Sequence, residues 1–500
     1  MPAQSKDYSF AHYLNRQSHY KPINYKSMKK IYTFCLLAFV AIGMQAQVTL
    51  VKDINPGTGN SSPGEIFVFG DHFYFKADDA NDAVDHGSEL WKSDGTTSGT
   101  VLVKDIRVGS SNSGPFDFFI LNNELFFTAN DGSASPWKTD GTESGTIKVT
   151  TGPTILAPVI IDGLVYYKHT NTIDGIANDL WQFDGVTQSA VTDAGTTEEN
   201  IFAFVAFQNK IFLYANTVAD DATTGNELYV YDPNTDLFSL VKDINPGSSD
   251  ASISNFMVMG DKLYFEALSG LWETDGTDAG TKAVDAASAL GGVTNVYAWN
   301  DKLFFEGDDG TNGDQLYVYD PVAGTTTNIS NISGANSNHD PSDYCPYDGY
   351  LYYRGEDADD TDGNLFRTNG TSIEQLDNVV KDIDDIVVLN NKLYFEGEDA
   401  SGTETTGNEL FMLDPTTIPT AIGDEVKEMN ISVYPNPSYG TINIKGLESA
   451  QATYSIYNLT GQCVAKGIVT NEQISFMQKG LYVLQINDGA QKTVSKITVK

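Results

Sequence analysis

Eight short phrases of one pattern recur along the chain. They read HFYF at His72, ELFF at Glu124, LVYY at Leu164, KIFL at Lys210, KLYF at Lys262, KLFF at Lys302, YLYY at Tyr350 and KLYF at Lys392. Their third residues, from Tyr74 and Phe126 to Tyr352 and Tyr394, are spaced by 52, 40, 46, 52, 40, 48 and 42 positions. A unit of this size cannot bury a core alone, so neighbouring units must stack. This periodicity constrains the fold more than any other feature of the chain.

Each unit carries four strand signals. An alternating apolar run comes first, as in Ile66–Gly70, and ends in a tight turn such as Asn122-Asn123 or Asp162-Gly163. Asn, Asp and Gly tolerate the positive φ that two-residue hairpins require. The aromatic phrase is the second strand. The third is centred on Trp91, Trp137, Trp181, Tyr229, Trp272, Tyr317, Phe366 and Phe411, each followed three residues later by an Asp-Gly, Asn-Gly or Asp-Pro turn. The fourth reads VLVKDI or its equivalent. No helical period interrupts the pattern. Four short antiparallel strands per unit predict an all-β fold, a β-propeller of eight four-stranded blades over residues 47–414.

The count of strands also predicts how the ring closes. The eighth unit ends at Asp414 without a fourth strand, whereas Val48–Ile54 is a fourth strand with no unit before it. An open ring leaves an unpaired strand edge. The economical closure pairs residues 48–54 with the strand around Phe411. With that strand outermost, the first strand of each unit lines the centre.

The phrase ELWKSDGTTSGT, from Glu89, returns closely from Ser135 and Gly270 and in degenerate form in the other units. It resembles the ELWxxDGTxxGT repeat of secreted bacterial β-repeat proteins. That resemblance implies a secreted or surface β-protein and no shared catalysis.

At the other end of the chain, residues 28–46 read MKKIYTFCLLAFVAIGMQA. Two lysines precede an uncharged apolar run that is too short to span a bilayer, and small Ala46 precedes Gln47. The segment has the pattern of a secretory signal peptide with cleavage between Ala46 and Gln47. Residues 1–27 form an upstream extension, and Met28 is the better start.

Composition changes near residue 425. Residues 47–425 hold 17 basic and 62 acidic residues, and residues 426–500 hold 7 and 4. A chain of net charge −37 is a poor partner for nucleic acid or an anionic membrane surface. Residues 415–425 read as a linker. The tail alternates in period two, which predicts a small Ig-like β-sandwich. It also resembles the C-terminal sorting domain of the type IX secretion system of Bacteroidetes. The residues that carry the resemblance are Tyr434-Pro435-Asn436-Pro437, Gly440, Gly461, Gly480, Tyr482 and Lys496. Gln462 departs from it, since the family often has Arg there. The resemblance implies recognition by the type IX machinery, passage through the periplasm and the outer membrane, and a secreted or surface-anchored product.

Catalytic patterns are absent from the sequence. There is no HExxH, GxSxG, GxxxxGK or CxxC, and none of His72, His86, His169 and His339 lies near a cysteine or a second histidine at ligand spacing. Cys345 and Cys463 leave either one pair or two free thiols. Three function classes remain: a non-catalytic propeller that grips a glycan or a protein, a polysaccharide hydrolase or lyase on the same scaffold, and a structural envelope protein. Repetition of near-identical units favours the first and third.

Acidic loops join second to third strands, as in ADDANDAVDHGSE from Ala77 and GEDADDTDGN from Gly355. They suggest a solvated rim, with calcium as the sharper alternative because it takes 6–8 oxygen ligands. Asp357, Asp359, Asp360 and Asp362 are the candidate ligands. The EF-hand spacing fails there, because Ala358 and Asn369 fall where the first and twelfth positions need carboxylates.

Overall fold

Each aromatic phrase forms the second strand of a four-stranded antiparallel sheet. In the computed structural model the described residues are 48–169, 179–191, 199–217, 223–311, 313–333, 338–357, 362–376, 379–399, 406–418, 432–447, 452–458, 463–476, 478–487 and 492–500. The leader at 28–46, with Ala46 and Gln47, lies outside them, as do Asp359, Asp360 and Gly461. Sheet one comprises Gly64–Phe69, His72–Asp78, Ser88–Ser93 and Val101–Lys104 in that spatial order. Sheets two to seven repeat it, their first strands being Phe116–Leu121, Leu156–Ile161, Glu199–Phe207, Ser254–Met259, Gly291–Trp299 and Ser342–Tyr347. The hairpin turns take positive φ, as at Asn122 (51°), Asn123 (65°), Asn300 (52°) and Asp301 (58°). The chain is all-β: among the described residues, helix is limited to two 3-10 turns, Asp285–Ala287 and Pro415–Thr417.

Sheet eight draws on both ends of this region. Its strands are Val380–Leu389, Lys392–Asp399, Asn408–Leu413 and then Val48–Lys52. Val48 is opposite Leu413, Thr49 opposite Met412 and Leu50 opposite Phe411.

The hydrophobic cores lie between sheets rather than within one. Tyr74, Leu90 and Val103 of sheet one pack with Phe118, Leu125 and Phe127 of sheet two. Phe304 and Leu316 of sheet six pack with Leu351 and Tyr353 of sheet seven. Leu389, Tyr394 and Leu410 of sheet eight pack with Phe73, Phe75 and Trp91 of sheet one. Each fully buried Phe contributes roughly 1.5–3 kcal/mol, which explains why the aromatic phrase survives in every unit. First strands of successive sheets are neighbours, and that of sheet eight neighbours that of sheet one.

Two smaller ties recur. The third residue of one unit's aromatic phrase lies against the turn glycine of the next unit: Tyr74 against Gly141, Phe212 against Gly276 and Tyr394 against Gly95. The fourth-strand lysine reaches the next unit's turn: Lys104 Nζ donates to the Glu143 carbonyl (3.1 Å) and Lys52 Nζ to the Thr100 carbonyl (2.8 Å).

Two compact units divide between Pro419 and Thr420. Residues 415–418, expected as the start of a linker, belong to the first unit. Pro415–Thr417 is capped by Asp414, and Ile418 is buried in the cluster shared by sheets seven and eight. Cys345 is a free, buried cysteine in that cluster, and burial pushes its thiol up to about 12.

The second unit packs a three-stranded sheet (Ser432–Tyr434, Thr441–Lys445, Gln473–Ser475) on a four-stranded one (Thr453–Tyr457, Cys463–Ile468, Gly480–Asn487, Lys492–Val499). Ile442 and Ile444 from one sheet meet Ile456, Leu484 and Ile497 from the other. The result is the small sandwich expected from the period-two pattern.

Candidate functional site

The repeated DGTxxGT phrase has its polar groups consumed locally. Asp94 Oδ1 accepts from Thr96 N (2.9 Å) and Thr96 Oγ1 (2.7 Å), and Thr96 Oγ1 in turn accepts from Gly99 N (3.0 Å). Thr100 Oγ1 donates to the Thr96 carbonyl (2.8 Å) and meets Ser93 Oγ in the interior (2.7 Å). A Cβ at Gly99 would fall 2.0 Å from Asp94 Oδ1. Asp140 and Asp275 organise their turns in the same way. These hydrogen bonds hold the Asp carboxyls below their ordinary range.

The glutamate that opens the phrase is also structural. Glu89 is fully buried and accepts from Ile106 N (2.8 Å), Ser113 N (3.0 Å) and Ser113 Oγ (2.6 Å). Glu227 takes Ile244 N and Asn245 N, and Glu409 takes Ile54 N, Asn55 N and Ser61 Oγ. Gln315 does the same work without charge, accepting from Ile332 N and Ser330 Oγ. Loss of hydration pushes Glu227 and Glu409 up to about 7 against these hydrogen bonds, which pull the other way.

Trp91 and Trp137 are only 5% and 6% exposed, so neither offers a ring face to a sugar. His86 and His339 also hold the structure. His86 Nδ1 meets Asp79 Oδ2 (2.7 Å). His339 is buried between the Glu356 carbonyl (2.5 Å) and the Tyr353 hydroxyl (2.9 Å), and burial lowers it to about 4. At the expected calcium loop, Asp357 accepts from Gln375 Nε2 (3.0 Å) and Asp362 is ion-paired with Lys381.

Carboxylates converge elsewhere, on the first strands. Seven of these strands carry a bulge whose leading residue has positive φ: Glu65, Asp117, Ala157, Asn255, Asn295, Asp343 and Asp385, at 50–58°. Sheet four bulges at Phe202 instead. The acids fall in sheets seven, eight, one and two, and the uncharged residues in three to six. The bulges of adjacent sheets touch: Glu65 N donates to Asp385 Oδ2 (2.5 Å) and Ala157 N to Asp117 Oδ1 (3.2 Å).

Asp343, Asp384 and Asp385 form one group, in which one carboxylate oxygen from each lies within 4.8 Å of the others. Asp384 has solvent-exposed surface, yet lost hydration and the hydrogen bond with Asp343 push it up to about 7. Its strand partner Glu396 rises to about 8 through burial and the nearby Asp384 and Asp385. Burial raises Asp117 to about 6. Lys76 approaches the same region, crowding Gly64 together with Asp385. A second group, Glu306, Asp314 and Asp340, lies between sheets six and seven. The chemistry available is the sharing of protons among crowded carboxyls and the attraction of a cation. The sequence offered one sign of this site, an acid inside an otherwise apolar first strand, as in FDFF at Phe116 and SDYC at Ser342.

In the tail, two of the quoted motif residues, Asn436 and Lys496, meet through the backbone of the last strand. Asn436 Nδ2 donates to the Lys496 carbonyl (2.6 Å), and Asn436 Oδ1 accepts from Thr498 N (2.9 Å). Gly440 has φ 105° and its carbonyl accepts from Phe476 N (2.9 Å). Gly480 opens the strand that pairs with Lys492–Val499, and Tyr482 is buried against Phe476. Tyr434 and the Lys496 side chain are exposed.

No curated protein matches the chain. Among solved structures, the computationally designed Ika8 protein is 12% identical, with a TM-score of 0.46 over 73% of this chain and 99% of that one. PorZ, a surface component of the type IX secretion system of Porphyromonas gingivalis, is 12% identical, with a TM-score of 0.34 over 88% and 75%. The β-propeller domain of the Trilobed protease from Pyrococcus furiosus is 12% identical, with a TM-score of 0.35 over 71% and 94%. No helix among the described residues is long and apolar enough to cross a membrane. Residues 432–500 match the secretion system C-terminal sorting domain, and such a tail implies recognition by the type IX machinery and export to the cell surface or the medium.

Proposed function

We propose that residues 48–418 form a closed eight-bladed propeller, delivered to the surface by its tail, that binds its ligand without catalysis at the bulged ends of the first strands. The observation that carries this reading is the one-sided distribution of charge there. Asp343, Asp385, Glu65 and Asp117 follow one another in adjacent sheets, whereas the corresponding bulges of sheets three to six are uncharged. Repeat chemistry alone would make the eight positions alike. The cyclic contacts of the first strands and the pairing of Val48–Lys52 in sheet eight support the ring. Removal of a leader between Ala46 and Gln47 belongs to the same proposal.

The ligand classes are a glycan or a surface protein. The test is a binding screen on the full chain against glycans and against basic and acidic peptides, with a parallel polysaccharide-degradation assay. Saturable binding without turnover is expected, weakened in an Asp343→Asn, Asp385→Asn variant. Turnover lost in that variant would replace binding with hydrolysis, for which crowded carboxyls are suited. Silence in both assays would leave the structural envelope role.

A further inference from the structure

The outer edge of sheet eight is a docking slot for one extended segment. The segment that fills it is joined to the rest of sheet eight only through the whole ring. Glu409 takes Ile54 N (2.9 Å) and Asn55 N (3.0 Å), 355 and 354 residues away in sequence, and Ser61 Oγ (2.6 Å). In sheet one, Glu89 takes Ile106 N only 17 residues on, and in sheet four Glu227 takes Ile244 N, also 17 residues on. The acceptor chemistry is the same with and without short connectivity. The slot therefore recognises the segment and not its covalent attachment.

Its reading frame is specific. Val51 and Ile54 are buried between sheets eight and one. Lys52 Nζ donates to the Thr100 carbonyl (2.8 Å) and stands 5.4 Å from the Trp91 ring centroid. The Val51 carbonyl accepts from Thr97 Oγ1 (2.7 Å), and Asn55 Oδ1 accepts from Asn81 N (2.9 Å). The recognised pattern is Val-Lys-x-Ile-Asn followed by Ser six residues later.

We propose that residues 48–61 are an exchangeable strand, so that the slot of one copy accepts residues 48–61 of a second copy and the chain forms strand-swapped oligomers. This rests on the ring proposed above. Adding a strand to a sheet edge gives affinity through main-chain hydrogen bonds and specificity through alternate side chains, and exchange of identical elements is a low-cost route to dimers.

Two experiments test it. In the first, full chain lacking residues 48–61 is titrated with a synthetic peptide of that sequence. Saturable binding that restores the melting temperature is expected, with about tenfold weaker binding for a Lys52→Glu or Ile54→Asp peptide. Equal binding of all three peptides, or none by the native one, overturns the proposal. An unchanged melt on deletion would instead defeat the ring itself. In the second, which holds even if the deletion variant does not fold, full chains carrying Thr49→Cys and Met412→Cys separately are mixed, unfolded, refolded together and oxidised. These two positions face each other in the sheet. A disulfide-linked pair of copies is expected, and its absence overturns exchange.

Discussion

The phenolic oxygen of Tyr394, in sheet eight, lies so close to Gly95, in sheet one, that a methyl group on Gly95 would come within 2.1 Å of it. Tyr394 is 2% exposed and its ring sits 5.0 Å from that of Phe73. The contact joins the last unit to the first, and the same aromatic-to-glycine contact joins Tyr74 to Gly141.

Gly95→Ala should therefore cost roughly 2–5 kcal/mol, from a positive φ plus overpacking. Gly57 is the control: its φ is 90° against 88° at Gly95, and nothing lies near it. Gly57→Ala should cost about 1 kcal/mol. Adding Tyr394→Phe should recover part of the Gly95→Ala loss in a double-mutant cycle. Equal losses at the two glycines would mean that the contact carries no energy.

Glu409→Ala strips acceptors from three buried donors at once, at about 1–3 kcal/mol for a donor left unsatisfied. Glu409→Gln should cost less than half as much, because Gln315 shows that one amide oxygen can hold two such donors. Chemical denaturation of both variants measures the difference, and the same loss in both would argue against the hydrogen-bond account.

The pH dependence follows from burial. Glu227 and Glu409 are raised to about 7, Glu306 to about 7 and Glu396 to about 8, above an ordinary 4.5. A carboxyl whose folded pKa is raised binds its proton more tightly when folded. The stability it contributes is complete below about 4.5 and is lost as pH rises through 7–8, on the order of 1–3 kcal/mol for the fully buried Glu409. Asp53 faces Glu409, and Asp243 and Asp250 face Glu227, all of like charge. Melting temperatures at constant ionic strength should fall between pH 5 and pH 8. The fall should shrink in a Glu227→Gln, Glu409→Gln variant, and an undiminished fall would assign the effect to net charge alone.

Divalent cations should raise the melting temperature by relieving repulsion in a chain of net charge −37. Calcium and magnesium should act equally at matched ionic strength, since Asp357 and Asp362 are already engaged by Gln375 and Lys381. A calcium-specific shift reversed by chelator and abolished in an Asp357→Asn, Asp362→Asn variant would restore the 357–362 loop as a metal site.

Deleting residues 432–500 should leave the protein inside the producing cell. Immunoblots of medium, surface and cell fractions read this directly, and undiminished export would separate the tail from secretion.

The sequence by itself determined what short-range backbone chemistry controls. The Asn and Gly turns, the aromatic second strands and the Asp-Gly-Thr turns of units one, two and five were legible because each is specified within a few residues and recurs along the chain. The tail motif was legible for the same reason of fixed order and spacing. Tertiary structure alone decided which side chains meet. The glutamate at the head of the third strand finds its donors 17 residues away in sheet one and 355 residues away in sheet eight; the count of strands foretold which strands pair there, but not these hydrogen bonds. A bulge shifts the strand period by one residue and moves an acid such as Asp343 to the edge where it meets Asp384 and Asp385. In the sequence that shift resembles an ordinary substitution. The expected calcium loop drew attention because its acids are adjacent in the chain. The carboxylates that converge are those that cross-sheet register brings together, because proton sharing and cation attraction depend on distance in space.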